Sequence, residues 1–130
     1  MKHARPFAIA VAAMMTLAPA AASAADWWWV AGEPGSDHAW FIDVDSIAVQ
    51  GSETSFRLLR VARGQPSDPQ QRRADCAGTI GGPAEDDAIQ RFVCATPEER
   101  LSLGAMLGPV PPEVAANALF DAPAQAMARR

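Results

Sequence analysis

Six groups of residues have types and spacings that could do chemistry. Ser36, Asp37 and His38 are the three residue types of a hydrolytic triad. A triad needs nucleophile, base and orienting acid to converge from separate positions, which three sequence neighbours on a loop cannot do, so they read as a polar hairpin loop. Asp43 and Asp45 offer hard oxygen ligands of the kind that hold calcium. Counted from Asp43, however, the sixth position is Ala48 where a calcium loop needs glycine, and the twelfth is Thr54 where it needs a bidentate glutamate. The motif fails, and the two aspartates read as strand-end residues facing solvent. Glu85, Asp86 and Asp87 have no carboxylate partner at a spacing suited to acid–base work and read as a solvated helix start or loop.

The fourth group is the cysteine pair. Cys76 and Cys94 enclose 17 residues, a spacing unlike a Cys-x-x-Cys redox motif. His38 is the only histidine beyond the first few residues, so a metal would find at most two sulfurs and one imidazole. A single disulfide is the economical reading, and it leaves no metal set and no cofactor motif. The last two groups are candidate contacts. In a strand, alternation puts Trp27 and Trp29 on one face and Trp28 on the other, so exposing both faces would leave large apolar area in water. Either one face packs in the core and the other under a helix, or at least one indole is left for a partner surface, a sugar ring or a membrane interface. Arg57, Arg60 and Arg63 recur at threefold spacing and either pair with carboxylates across a sheet or present an anion-binding face.

These groups must be positioned by a small set of elements. Trp27–Val30 and Ala39–Val44 read as two strands, with Trp40, Ile42 and Val44 on one face, joined by a loop carrying the turn signal Gly32-Glu33-Pro34-Gly35. Another turn at Gln50-Gly51-Ser52 leads into Phe56–Arg63. As a strand, that segment puts Arg57 and Arg63 on the face with Leu59 and Val61; as a helix, it lines the three arginines along one edge. Flanking glycines and short length favour the strand. Gln65–Arg73, with Pro66 and Pro69, reads as an exposed loop, and Gly78–Glu85 as another. Asp75–Ile80 reads as a short strand, and Ala88–Ala95 as a strand or a helix. Thr96-Pro97-Glu98-Glu99 has the form of a capping box and opens a helix from Pro97 to about Leu107, expected to bury Leu103, Met106 and Leu107 before Gly108 and Pro109 stop it. A second helix, Pro112–Phe120, carries Val114, Ala115, Ala118 and Leu119 on one stripe. Ala122–Arg130 reads as a frayed tail.

The first 24 residues read as an export signal: a basic start with Lys2, His3 and Arg5, an apolar run from Phe7 to Ala18, and the small-residue site Ala22-Ser23-Ala24. The apolar run is far shorter than the roughly 20 residues that cross a bilayer. Cleavage after Ala24 leaves 106 of the 130 residues, enough for one small domain over 25–121 with the tail 122–130, and too few for a cofactor domain beside a substrate domain. The mature chain would hold nine basic residues, all arginine, against fifteen acidic ones, a net charge near −6, and its arginines are spread from residue 57 to residue 130. That balance repels a phosphate backbone and argues against nucleic acid as a partner. With no cysteine near the cleavage site there is no acceptor for an N-terminal lipid, and the address is the periplasm, the cell surface or the exterior.

Trp27–Trp29, then Trp40-Phe41-Ile42-Asp43, then Asp45-Ser46-Ile47, the turn at Gly51 and the strand from Phe56 together resemble the bacterial surface-adhesin-E-like domain family. The likeness covers residues 26–63 plus the cysteine pair. It implies a small, exported, β-rich domain with an early Trp strand and an Asp-x-x-Ser-Ile-like strand exit. The expected fold is α+β: an antiparallel sheet of three to five strands packed by two C-terminal helices and tied by one disulfide. The expected function is non-enzymatic interaction with a protein or envelope component, or with a second copy of the chain. A small exported hydrolase or sugar-acting enzyme, and a purely structural envelope component, are the alternatives.

Overall fold

The computed structural model describes residues 25–78 and 83–123; the expected signal segment 1–24, Ile80 of the expected short strand and residues 124–130 of the expected tail lie outside the described residues. Five strands form one antiparallel sheet: β1 (Trp27–Ala31), β2 (His38–Gln50), β3 (Glu53–Ala62), β4 (Asp68–Asp75) and β5 (Ala105–Met106), in the order β4-β3-β2-β1-β5. The helices are α1 (Ala84–Val93), α2 (Pro97–Leu103) and α3 (Pro112–Asp121), and one disulfide joins Cys76 to Cys94. The α+β class, the antiparallel sheet and the disulfide are as expected, and Phe56–Ala62 is strand.

Alternation in the first three strands builds two cores, one on each side of the sheet. Trp28, Val30, Ile42, Phe56 and Leu58 face α1, which supplies Ile89, Phe92 and Val93. Ala39, Phe41, Leu59 and Val61 face α3, which supplies Ala116 and Phe120. The sheet is therefore a central layer, covered on its two faces by different helices.

Several expectations are corrected. Gln65–Arg73 is not a loop: from Asp68 onward it is β4, paired with β3 from Asp68↔Arg60 to Asp75↔Glu53. Its side chains are exposed except Ala74, so no apolar alternation marks it, and Pro69 is tolerated because β4 is an edge. The strand ends at Asp75, where a short strand was expected to begin. Ala88–Val93 belongs to α1, which starts earlier, inside the segment expected to be a loop, and Cys94 and Ala95 follow its end. Glu85, Asp86 and Asp87 occupy its first turn, where carboxylates oppose the helix dipole, and Arg91 pairs with Asp87 at 3.0 Å.

The capping box of α2 is present, with Glu99 N–H donating to Thr96 Oγ1 at 3.2 Å and Thr96 N–H donating to Glu99 Oε1 at 2.9 Å. The helix nevertheless stops at Leu103 and buries no residue. Leu103 and Met106 are exposed and Leu107 is half-buried, so the expected apolar stripe is not a core face. The reason is Gly104, which turns extended so that Ala105–Met106 can pair with β1; a Cβ there would lie 2.6 Å from the Phe92 ring and 3.1 Å from the Trp29 carbonyl. In α3 the fully buried row is Pro112, Ala116 and Phe120; of the expected stripe, Ala115 and Leu119 are partly buried against the same core, and Val114 and Ala118 are exposed. Val114 and Ala118 face solvent because α3 meets the sheet along the i, i+4, i+8 row.

Candidate functional site

The geometry around the tryptophans is set by an irregularity in β2. Pairing with β3 is regular to Asp43↔Arg57 and resumes at Ala48↔Ser55, so four residues of β2 stand opposite Phe56 alone. Such a bulge strands backbone groups, and two side chains satisfy them. Ser46 Oγ donates to the Asp43 carbonyl at 2.7 Å and accepts from Arg57 N–H at 2.8 Å. The Asp43 carboxylate is buried; its Oδ1 accepts from the backbone N–H of Asp26 at 3.0 Å and of Asp45 at 3.1 Å, and its Oδ2 lies 3.5 Å from Arg57 Nη1. Asp43 is therefore an internal anchor for the chain entering β1, not a solvent-facing strand end.

Trp27, Asp43 and Arg57 are consecutive cross-strand neighbours on the α3 side of the sheet. The Arg57 guanidinium reaches past Asp43 to lie 5.5 Å from the centre of the Trp27 ring, a cation–π distance. Both side chains are partly exposed, and they open onto a groove of about 600 Å³ completed by Leu59, Pro69, Pro112 and Glu113. A hydrogen bond from Ser67 to Glu113 ties the β3–β4 loop to the start of α3 along one side of it.

The other candidate contacts are placed elsewhere. Trp28 is 7 % exposed and packs on Phe92 with ring centres 5.6 Å apart, in the core beneath α1. Trp29 is half-buried on the α3 side, its indole N–H donating to the Ala31 carbonyl at 2.8 Å. Arg63 clamps β3 to α3: it donates to the Phe120 carbonyl at 2.8 Å, meets Asp121 at 3.2 Å and Asp37 at 3.5 Å, and covers the Phe120 ring. Arg60 projects on the opposite face between its cross-strand neighbours Trp40 and Asp68. The three arginines thus make no common anion-binding face, because strand geometry alternates them and α3 claims one.

The Ser36-Asp37-His38 group is also divided. Ser36 Oγ donates to the His38 carbonyl at 3.0 Å, and Asp37 pairs with Arg63. His38 instead stacks on Trp40, ring centres 5.8 Å apart and planes 26° apart, in a second cleft that sequence reasoning missed. Its carboxylates, Glu33 and Glu85, are separated by 52 positions, and no local pattern brings them together.

The chain matches no family model, no curated protein and no solved structure.

Proposed function

We propose that this chain is an exported, non-enzymatic interaction domain that docks a protein of the cell envelope in the groove beside Trp27. The observation that carries the reading is the half-buried Trp27 held under Arg57 at the edge of an open groove whose other walls include Leu59, Pro69, Pro112 and the carboxylate-bearing Glu113. Tryptophan and arginine dominate binding energy at protein interfaces because each presents a large, preorganised contact area, and a rigid anchor loses little entropy on binding. Here Asp43 holds Arg57 and the bulge holds Asp43, so the pair is set before any partner arrives. The basic, apolar, small-residue pattern of residues 1–24 supports export, as does a cysteine pair suited to an oxidising compartment. The likeness of residues 26–63 to the surface-adhesin-E-like family supports an envelope role.

The test is photo-crosslinking in envelope extract, with a photo-activatable residue replacing Gln71, the exposed cross-strand neighbour of Arg57. A discrete cross-linked protein is expected, and Trp27→Ala should reduce it by more than about tenfold while the variant still melts cooperatively. Undiminished cross-linking in Trp27→Ala, or no discrete product at all, would refute docking at this groove.

A further inference from the structure

On the other face of the sheet, between the β1–β2 loop and the start of α1, lies the cleft of about 410 Å³ that contains His38 and Trp40. We infer that it is a binding site for an organic cation, an alkylammonium or guanidinium group. The inference is independent of the Trp27 groove, which the sheet separates from it.

Three observations converge. First, the cleft is preformed. Gly32, at φ +111°, folds the loop so closely over β2 that a Cβ would lie 2.6 Å from the His38 carbonyl. Gly35 N–H donates to the Leu119 carbonyl at 2.9 Å, Ser36 N–H to the Glu33 carbonyl at 3.0 Å, and Arg63 N–H to the Asp37 carbonyl at 3.0 Å. The loop is pinned to β3, to α3 and to itself, so binding need not order it. Second, the stacked His38–Trp40 pair gives the cleft an aromatic wall, and an indole is the best π-partner for a cation. Third, its fixed charges are negative. Glu33 from the loop and the half-buried Glu85 from α1 line it without lysine or arginine, and neither carboxylate has an ion-pair partner among the described residues. Arg60, beside Trp40 on β3, has Asp68 as its neighbour on the other side.

An aromatic wall alone would suit a sugar or an apolar ligand equally. The carboxylates lining the cleft, exposed Glu33 and half-buried Glu85, decide between them: the partly buried, unpaired Glu85 carboxylate gains more from a cation than from a neutral hydroxyl. The volume suits a small ligand or one long side chain.

The experiment is an NMR titration of the mature chain, following the Trp40 indole N–H, with n-butylammonium as probe and n-butanol and methyl glucoside as neutral comparators. Saturable shifts are expected for butylammonium at about millimolar concentration and not for the comparators. Glu85→Gln and Glu33→Gln should each weaken binding about three- to tenfold, while Glu98→Gln, exposed on α2, should not. Spermidine and a blocked peptide carrying one lysine and one arginine separate the sources: tighter spermidine binding assigns a free polyamine, tighter peptide binding a protein side chain. Equal binding of a neutral comparator, affinity unchanged in Glu85→Gln, or no saturation by about 50 mM would each overturn the inference.

Discussion

At the residue scale, the most consequential side chains are small or internal. Ser46 supplies both an acceptor and a donor to backbone groups that the β2 bulge would otherwise strand. Ser46→Ala is therefore expected to destabilise the domain by about 1–3 kcal/mol in urea unfolding, the usual effect of leaving buried backbone groups unpaired. An unchanged midpoint would mean that water or a local shift repairs the bulge. The three tryptophans should separate by depth: Trp28→Ala should lose about 3–5 kcal/mol, as for a deleted core aromatic, and Trp27→Ala clearly less because its indole is only half-buried. Equal losses in thermal melts would show Trp27 to be as much a core residue as Trp28 and remove it as a contact. Gly104→Ala places a methyl group against the Phe92 ring and the Trp29 carbonyl, and is expected to lose about 1–3 kcal/mol by overpacking. Asp43 was legible as a charged strand residue, but not as a buried anchor: its partners at Asp26 and Arg57 lie on two other stretches of chain.

At the scale of elements, strands with an apolar alternation were readable and those without it were not. β1, β2 and β3 each contribute alternating side chains to two cores, so composition and period marked them. β4 offers almost nothing to a core; what makes it a strand is the row of backbone partners on β3, which no local pattern announces. The helix α1 was ambiguous because Ala88–Ala95 alone supports either period, and its acidic first turn could be read equally as a helix start or as a loop. The capping box located the start of α2, whereas its end was set by a distant ring at Phe92. Arg100 shows how α2 serves α1: its guanidinium donates to the Phe92 and Val93 carbonyls at 3.1 and 3.2 Å, satisfying the end of α1 and opposing its dipole. Burial pushes the pKa of Arg100 below the ordinary arginine value, yet arginine keeps its charge throughout the accessible range. Arg100→Ala should lose about 1–2 kcal/mol, with faster amide exchange at the C-terminal turn of α1 than in Arg91→Ala. Exchange no faster than in Arg91→Ala would remove the capping role.

At the scale of the molecule, the Cys76–Cys94 bond links the turn after β4 to the end of α1, joining the sheet edge to the helix that covers one core. Closing a loop of this length restricts the unfolded chain by about 3 kcal/mol, a large share of the stability of so small a domain. The double variant Cys76→Ala/Cys94→Ala is expected to lose about that much, and a midpoint within error of the wild type would refute the role. By itself the sequence determined the class of fold, the strand character of its first half and the disulfide. Those follow from local period, capping chemistry and composition, which act over a few residues or over the whole chain at once. Only the tertiary structure decided which tryptophan is core, that the arginines part company, and that Glu33, Glu85, His38 and Trp40 share a cleft. Those depend on strand register and on where each helix lands, and both are set by long-range contacts that leave no pattern within either partner segment.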